Sequence, residues 1–414
     1  MSRYGKLLIL FMLGGCQHSE PATPIPREVD PPIDALSRAV GDRVREQAQR
    51  RNLAGELPTP QGAAAPSGPP SCNLLTTADL DGDGAQEIVC WNEGRLSFWQ
   101  QTEAAIHEVY QDTSADHVMP GEPNIFHVAD FDHDRREELF IGWGESRTVQ
   151  KVPITVSMIE VVGESGNHQR RQTVLYRMES PRAEVVGLGT AQLDGGGDDE
   201  IFVAHFDSQY FVLARRLISQ AGGTYGYRDI LRRRMATSWL FQDLDGNGKP
   251  EWVVGRSYGD EKLAPGDLQV YRDGNVPEMV PTQLGLRSVA AGHLRKEGPL
   301  ELLFGDGWHY RYGTDARGRL SKASRGKSSW ESQLIEDTAG QYEISQIQAL
   351  DLDHDGIDEV VAAGNKEIRL WRLQEGEWKS SRLADGDHFA IGALLRPGEY
   401  FLVIPGTPLQ IRPL

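Results

Sequence analysis

Asp79-Leu-Asp81-Gly-Asp83-Gly84-Ala-Gln-Glu87 is one of four acidic stretches of nearly the same design in this chain. The others are Asp130-Phe-Asp132-His-Asp134-Arg-Arg-Glu-Glu138, Asp243-Leu-Asp245-Gly-Asn247-Gly248-Lys-Pro-Glu251 and Asp351-Leu-Asp353-His-Asp355-Gly356-Ile-Asp-Glu359. Oxygen-bearing side chains fall at positions 1, 3, 5 and 9 of each. That pattern suits a hard cation such as calcium, which takes six to eight oxygens at about 2.3–2.6 Å. The position-7 backbone carbonyl of Ala85, Arg136, Lys249 or Ile357 can add a further ligand. Glycine at position 6 of three stretches permits the sharp bend, and Arg135 in its place predicts strain in the second. The spacing matches the first half of an EF-hand loop, but a strand-like apolar run follows each stretch at once. These runs are Ile88-Val89, Leu139-Phe140-Ile141, Trp252-Val253-Val254 and Val360-Val361. The stretches therefore read as loops inside β-hairpins holding up to four structural calcium ions, with Asn247 weakening the third of them.

Weaker copies fill the gaps. Gln192-Leu-Asp194-Gly-Gly-Gly197-Asp-Asp-Glu200 keeps the frame but has lost two of the first three acidic positions. His293-Leu-Arg295-Lys-Glu297-Gly298-Pro-Leu-Glu301 places an arginine where a ligand belongs, and Ala393 to Val403 is a shortened relic. Repeats thus begin near 79, 130, 192, 243, 293, 351 and 393. A period of roughly 50 residues with four short strands per unit signals a β-propeller. The acidic pattern followed by an apolar run and glycine, as in Val253-Val254-Gly255, resembles the FG-GAP (VCBS-type) repeats of integrin α-subunits and bacterial envelope proteins. The resemblance implies an all-β, seven-bladed propeller over residues 71–414.

The bulk numbers agree with that outline. A chain of 414 residues exceeds a single ordinary core, but a propeller grows around its ring because each blade packs only on its neighbours. A net charge of −17 argues against a nucleic-acid partner. Much of that charge is local, since fifteen of the sixteen ligand positions are carboxylates.

Arg3 and Lys6 precede the apolar run Leu7 to Leu13, too short to span a bilayer and suited to a signal peptide over residues 1–15. Leu13-Gly14-Gly15-Cys16 resembles the lipobox of bacterial lipoproteins. That resemblance implies cleavage before Cys16, acylation of its thiol and amine, and membrane attachment through the lipid. Gln17 in place of aspartate points, by the same resemblance, to the outer membrane as the destination within the cell envelope. Residues 16–70 form a Pro-rich tether in which Ile33, Leu36, Val40 and Val44 fall at helical spacing, giving a candidate helix over 34–51. Cys72 and Cys90 are a candidate disulfide. A nine-residue hairpin loop sets Cys90 opposite Thr76, so the bond requires the chain before the first strand to curl back.

The sequence contains no His-Glu-x-x-His pair, no Gly-x-Ser-x-Gly elbow and no Gly-rich phosphate loop. His133 and His354, at position 4 of their loops, are expected to point away from the ion. Loops on the opposite face offer Trp143, Arg147, Arg256, Tyr258 and Trp308 as a candidate ligand face, against the plainer reading of blade packing. The leading expectation is a lipid-anchored, non-catalytic platform for an envelope or extracellular protein. A carbohydrate-binding module taking glycan, a polysaccharide-active enzyme and an outer-membrane assembly scaffold stay open, because fold alone does not choose among them.

Overall fold

The structure is a computed structural model. It describes residues 71–414 apart from short stretches, the longest being 110–120, 146–150, 163–168, 193–198, 258–265, 309–317 and 339–343. The chain divides into units Met1–Ala65 and Pro66–Leu414. The signal peptide, Cys16 and the candidate helix lie outside the described residues.

The strands form seven antiparallel meanders in chain order. Blade 1 holds β1 (Leu74–Ala78), β2 (Glu87–Asn92), β3 (Arg95–Gln101) and β4 (Ile106–Val109). Blade 2 holds β5 (Glu122–Ala129), β6 (Glu138–Gly144), β7 (Ile154–Val162) and β8 (Gln169–Met178). Blade 3 holds β9 (Val185–Ala191), β10 (Glu200–Phe206), β11 (Phe211–Gln220) and β12 (Thr224–Arg234). Blade 4 holds β13 (Ala236–Gln242), β14 (Glu251–Arg256), β15 (Leu268–Tyr271) and β16 (Glu278–Val280). Blade 5 holds β17 (Gly285–Gly292), β18 (Glu301–Trp308), β19 (Arg319–Arg325) and β20 (Trp330–Asp337). Blade 6 holds β21 (Gln346–Leu350), β22 (Glu359–Gly364), β23 (Glu367–Gln374) and β24 (Glu377–Asp385). Blade 7 stops at three, β25 (Ala390–Gly392), β26 (Phe401–Ile404) and β27 (Gln410–Pro413). The chain is a seven-bladed β-propeller.

The second strand of each blade explains the continuous apolar runs. Successive side chains of a strand point to opposite faces. In β2, Ile88 and Cys90 pack towards blade 7 while Val89 and Trp91 pack towards blade 2. In β22, Val360 and Ala362 face blade 5, and Val361 and Ala363 face blade 7. Both faces are dry, so no polar alternation survives. Seven apolar clusters result, one per blade junction.

The junction between the last and first blades has the same construction. Ala390, Leu394, Val403 and Leu409 pack against Leu75, Ile88, Cys90 and Trp99. Thr77 Oγ1 donates to the Ile391 carbonyl at 3.0 Å. Cys72 and Cys90 are joined by a disulfide. The chain before β1 turns back to permit it, with the Asn73 N–H donating to the Trp91 carbonyl at 2.8 Å. The register differs by one from expectation: Ala78 pairs with Glu87, so Cys90 lies opposite Leu75 and not Thr76.

Candidate metal centres and the hairpin face

Each acidic stretch joins the first strand of its blade to the second, and its position-9 glutamate opens the second strand. Within the first loop, Asp79 Oδ1 accepts from the Gly82 N–H at 2.9 Å and Oδ2 from the Gly84 N–H at 3.0 Å. Asp81 Oδ1 accepts from Asp83 N–H at 3.2 Å, and Asp83 Oδ1 from Ala85 N–H at 2.8 Å. Glu87 Oε2 takes the Leu80 N–H at 3.0 Å. The same wiring recurs, with Phe131, Leu244 and Leu352 donating to Glu138, Glu251 and Glu359. Short aspartates thus shape the turn by accepting backbone N–H groups, and this gathers their carboxylates together.

Convergence is what a cation needs. Ligand oxygens lie within 4.8 Å of one another in Asp79/Asp81/Asp83, Asp130/Asp132/Glu138, Asp243/Asp245/Glu251 and Asp351/Asp353/Asp355. Of the expected acidic ligands, Glu87, Asp134 and Glu359 fall outside those groupings. Asn247 contributes its amide oxygen to the Lys249 N–H at 2.8 Å. These all-oxygen clusters can hold a metal ion, and the donor type is that of a hard one. Two further details fit. Glu87 is fully buried and its Oε1 has no hydrogen-bond partner, and Asp130 Oδ1 is likewise without one. Burial, with the charges of Asp81, Asp83 and Asp79, pushes the Glu87 carboxyl up to about 8. Burial above all pushes Glu138 up to about 7, with Asp132, Asp134 and Asp130 adding to it. Glu251 and Glu359 are raised too, again mainly by burial.

Position 4 of the loop is left-handed as well as position 6, with φ between +60° and +74° at Gly82, His133, Gly246 and His354. Arg135 adopts φ +76°, the conformation that Gly84, Gly248 and Gly356 take at the same position. The two histidines reach the following blade. His133 Nε2 lies 3.2 Å from Asp199 Oδ1, and His354 Nε2 lies 3.2 Å from the Gly398 carbonyl.

Position 8 carries a role that the sequence reading did not assign. The Glu137 N–H donates to the Asp79 carbonyl at 2.8 Å, and its carboxylate accepts the Asp79 N–H at 2.6 Å. Asp358 makes the same pair of bonds with His293, at 2.8 and 2.6 Å. Gln86 makes it with Ala393, at 2.8 and 3.1 Å, and so latches blade 1 to blade 7. The signal was in the sequence as a side-chain acceptor just before the glutamate in three of the four stretches (Gln86, Glu137 and Asp358), with Pro250 in the other.

A groove of about 410 Å³ opens where the hairpins of blades 1 and 2 meet the last blade. Asp79, Gln86, Asp130, Arg135, Glu137 and Tyr400 line it with the backbone of Gly84 and Gly398. A second cavity of about 250 Å³ lies among the first strands, bordered by Thr76, Asn124, Phe126, Gln348 and His388.

The candidate ligand face on the opposite side is corrected where it can be seen. Trp143 is 4% exposed, packs edge-on against Trp91 at 5.3 Å and donates to Ser157 Oγ at 2.8 Å. Arg256 is 3% exposed and its guanidinium is held by Asp267, with Nε donating to Oδ1 at 2.7 Å. Both are packing residues. The glycines beside them read as loop signals, yet they lie in strands where a neighbour comes too close for a side chain. A Cβ on Gly142 would sit 2.7 Å from Val185 Cγ1, and one on Gly305 would sit 2.9 Å from Ile344 Cβ. Arg147, Tyr258 and the Trp308 side chain lie outside the described residues.

Among solved structures, the chain is similar to a lectin of Agrocybe aegerita described as recognising non-reducing terminal N-acetylglucosamine. That likeness has 13% identity and a TM-score of 0.50, and covers 82% of this chain and 86% of that one. It is also similar to BBS1N from a complex with ARL6DN, at 13% identity and a TM-score of 0.49, covering 85% and 94%. At this identity the likeness concerns the fold. No protein-family model matches the chain, and no curated protein does.

Proposed function

We propose that this protein is a calcium-stabilised recognition propeller, non-catalytic and held to the bacterial cell envelope by lipid on Cys16. The observation that carries the recognition role is the groove on the hairpin face, which combines a guanidinium (Arg135), carboxylates (Glu137, Asp130), an amide (Gln86) and an aromatic ring (Tyr400). Such a mixture suits a polar partner that meets a few convergent groups. Glu137 and Gln86 are fixed by the latches, so the groove is pre-formed on rigid turns. Its partner is an envelope or extracellular protein that inserts a loop. The volume of about 410 Å³ also favours a second reading, a short saccharide stacked on Tyr400. The acidic loops supply rigidity: at calcium tenfold above Kd, one ion contributes about 1.4 kcal/mol.

The test is an in-cell crosslink and pull-down of the full-length protein in calcium, compared with the Arg135→Ala/Tyr400→Ala double variant. A specific protein captured by the parent and lost by the variant supports the platform. Glycan binding on an array, competed by free sugar and lost in the same variant, would move the conclusion to the second reading. Capture that ignores both substitutions would remove the groove from the account.

A further inference from the structure

The position-9 glutamate is buried in every blade that has one: Glu87, Glu138, Glu200, Glu251, Glu301 and Glu359 are at most 9% exposed. A buried carboxylate needs a cation or a proton. Blades 3 to 6 provide a cation from the third strand. Arg216 Nη2 lies 2.5 Å from Glu200, Lys322 Nζ lies 3.1 Å from Glu301, and Arg372 Nε lies 3.6 Å from Glu359. Arg272 goes furthest. Its Nη1 is 3.1 Å from Glu251 Oε1 and also pairs with Asp245 Oδ2, so it bridges two members of the fourth blade's acidic cluster.

That contact takes the remaining oxygen of Glu251 and of Asp245. Glu251 Oε2 holds the Leu244 N–H and Oε1 holds Arg272. Asp245 Oδ1 holds the Asn247 N–H and Oδ2 holds Arg272. Asp243 accepts from the Gly246 and Gly248 N–H groups just as Asp79 accepts from those of Gly82 and Gly84, so what sets the fourth-blade loop apart is the guanidinium. The planar guanidinium brings a permanent charge and several donors to carboxylates that a metal ion would otherwise bridge. With Asn247 in place of an acid, the loop has one negative charge fewer to neutralise.

The corresponding strand position carries no cation in blades 1 and 2. Arg272 follows Tyr271, the partner of Trp252, and so lies across from Glu251. Gln100 follows Trp99, the partner of Ile88, across from Glu87. Glu160 follows Ile159, the partner of Leu139, across from Glu138. Arg372 occupies the same place in blade 6 but pairs with Glu359 alone, leaving Asp351, Asp353 and Asp355 grouped. In the first loop Glu87 Oε1, buried and without a partner, points to a ligand that the chain does not itself provide.

We infer that the Arg272 guanidinium stands in for a metal ion in the fourth blade, so that the protein carries three ions, in the loops beginning at Asp79, Asp130 and Asp351. This rests on the reading of the acidic loops as calcium sites. Native mass spectrometry of the folded, lipid-free chain from residue 17, desalted from calcium acetate, counts the bound ions. Three are expected for the parent and four for Arg272→Gln. Four ions on the parent, with no gain in Arg272→Gln, would overturn the substitution while leaving the calcium reading intact. No ion on either protein would remove the calcium reading, and this inference with it. Should Arg272→Gln fail to fold, the parent still decides: four ions on it overturn the substitution.

Discussion

Glu87 concentrates the chemistry of the acidic loops in one side chain. It is fully buried, one oxygen is fixed by the Leu80 N–H, and the other faces three aspartates' charge with no partner. Its carboxyl is raised from an ordinary 4.5 to about 8, so between those pH values the metal-free folded chain holds a proton that the unfolded chain has released. Stability rises with pH only where the unfolded state binds more protons, and here the folded state does. The chelated protein is therefore expected to lose stability as pH rises from about 5 to 8, with Glu138 acting in the same direction up to about 7. Saturating calcium should remove most of that decline, because an ion replaces the proton. Glu87→Gln should flatten the chelated profile and weaken the response to calcium. Melting curves across pH, with calcium or chelator, check all three outcomes, and a chelated protein that gains stability with pH would refute the assignment.

Among the elements, the acidic hairpin is both a turn and a clamp. Its odd positions shape the turn and gather oxygens, whereas position 8 reaches the preceding blade. Glu137 accepts the part-buried Asp79 N–H at 2.6 Å, and Asp79 is itself in a metal cluster. Removing the acceptor strands that N–H, which costs about 1–3 kcal/mol. Glu137→Ala should destabilise by that amount and lower calcium affinity in the first loop, while Glu137→Gln, which keeps an acceptor, should recover much of both. Chemical denaturation and calcium titration of the two variants separate a latch from a mere surface charge. The odd-position acids were legible in the sequence because their spacing is set by covalent geometry within nine residues. Arg272 was not, since its meeting with Asp245 depends on the register of a strand 27 residues away.

For the molecule as a whole, the ring closes without a fourth strand in the last blade among the described residues. Closure rests on the apolar junction around Leu394 and Trp99, the Gln86–Ala393 latch and the Thr77–Ile391 hydrogen bond. The Cys72–Cys90 disulfide lies in that same junction and closes a sequence separation of 18 residues. A cross-link of this span contributes about 3 kcal/mol by restricting the unfolded chain. Reduction should therefore lower the melting temperature by several degrees in calcium, and Cys72→Ala/Cys90→Ala should reproduce the shift without reductant. Scanning calorimetry on both measures it; equal melting temperatures would mean that the disulfide does not support closure.

The sequence by itself determined the hairpins and the acidic clusters, because each follows from residues a few positions apart, and their recurrence along the chain gave the all-β propeller. It also held Gly142-Trp143 and Gly255-Arg256, whose local pattern reads equally as loop or strand. Only the assembled sheet settled them: Val185 of the next blade leaves no room for a side chain on Gly142, Ser238 across the strand pair crowds one on Gly255, and the two glycines lie in β6 and β14. Trp143 and Arg256 are buried with them. The same holds for the cations. Which buried glutamate meets an arginine or lysine and which does not depends on the strand that pairing brings across from it, and pairing is a property of the assembled blade.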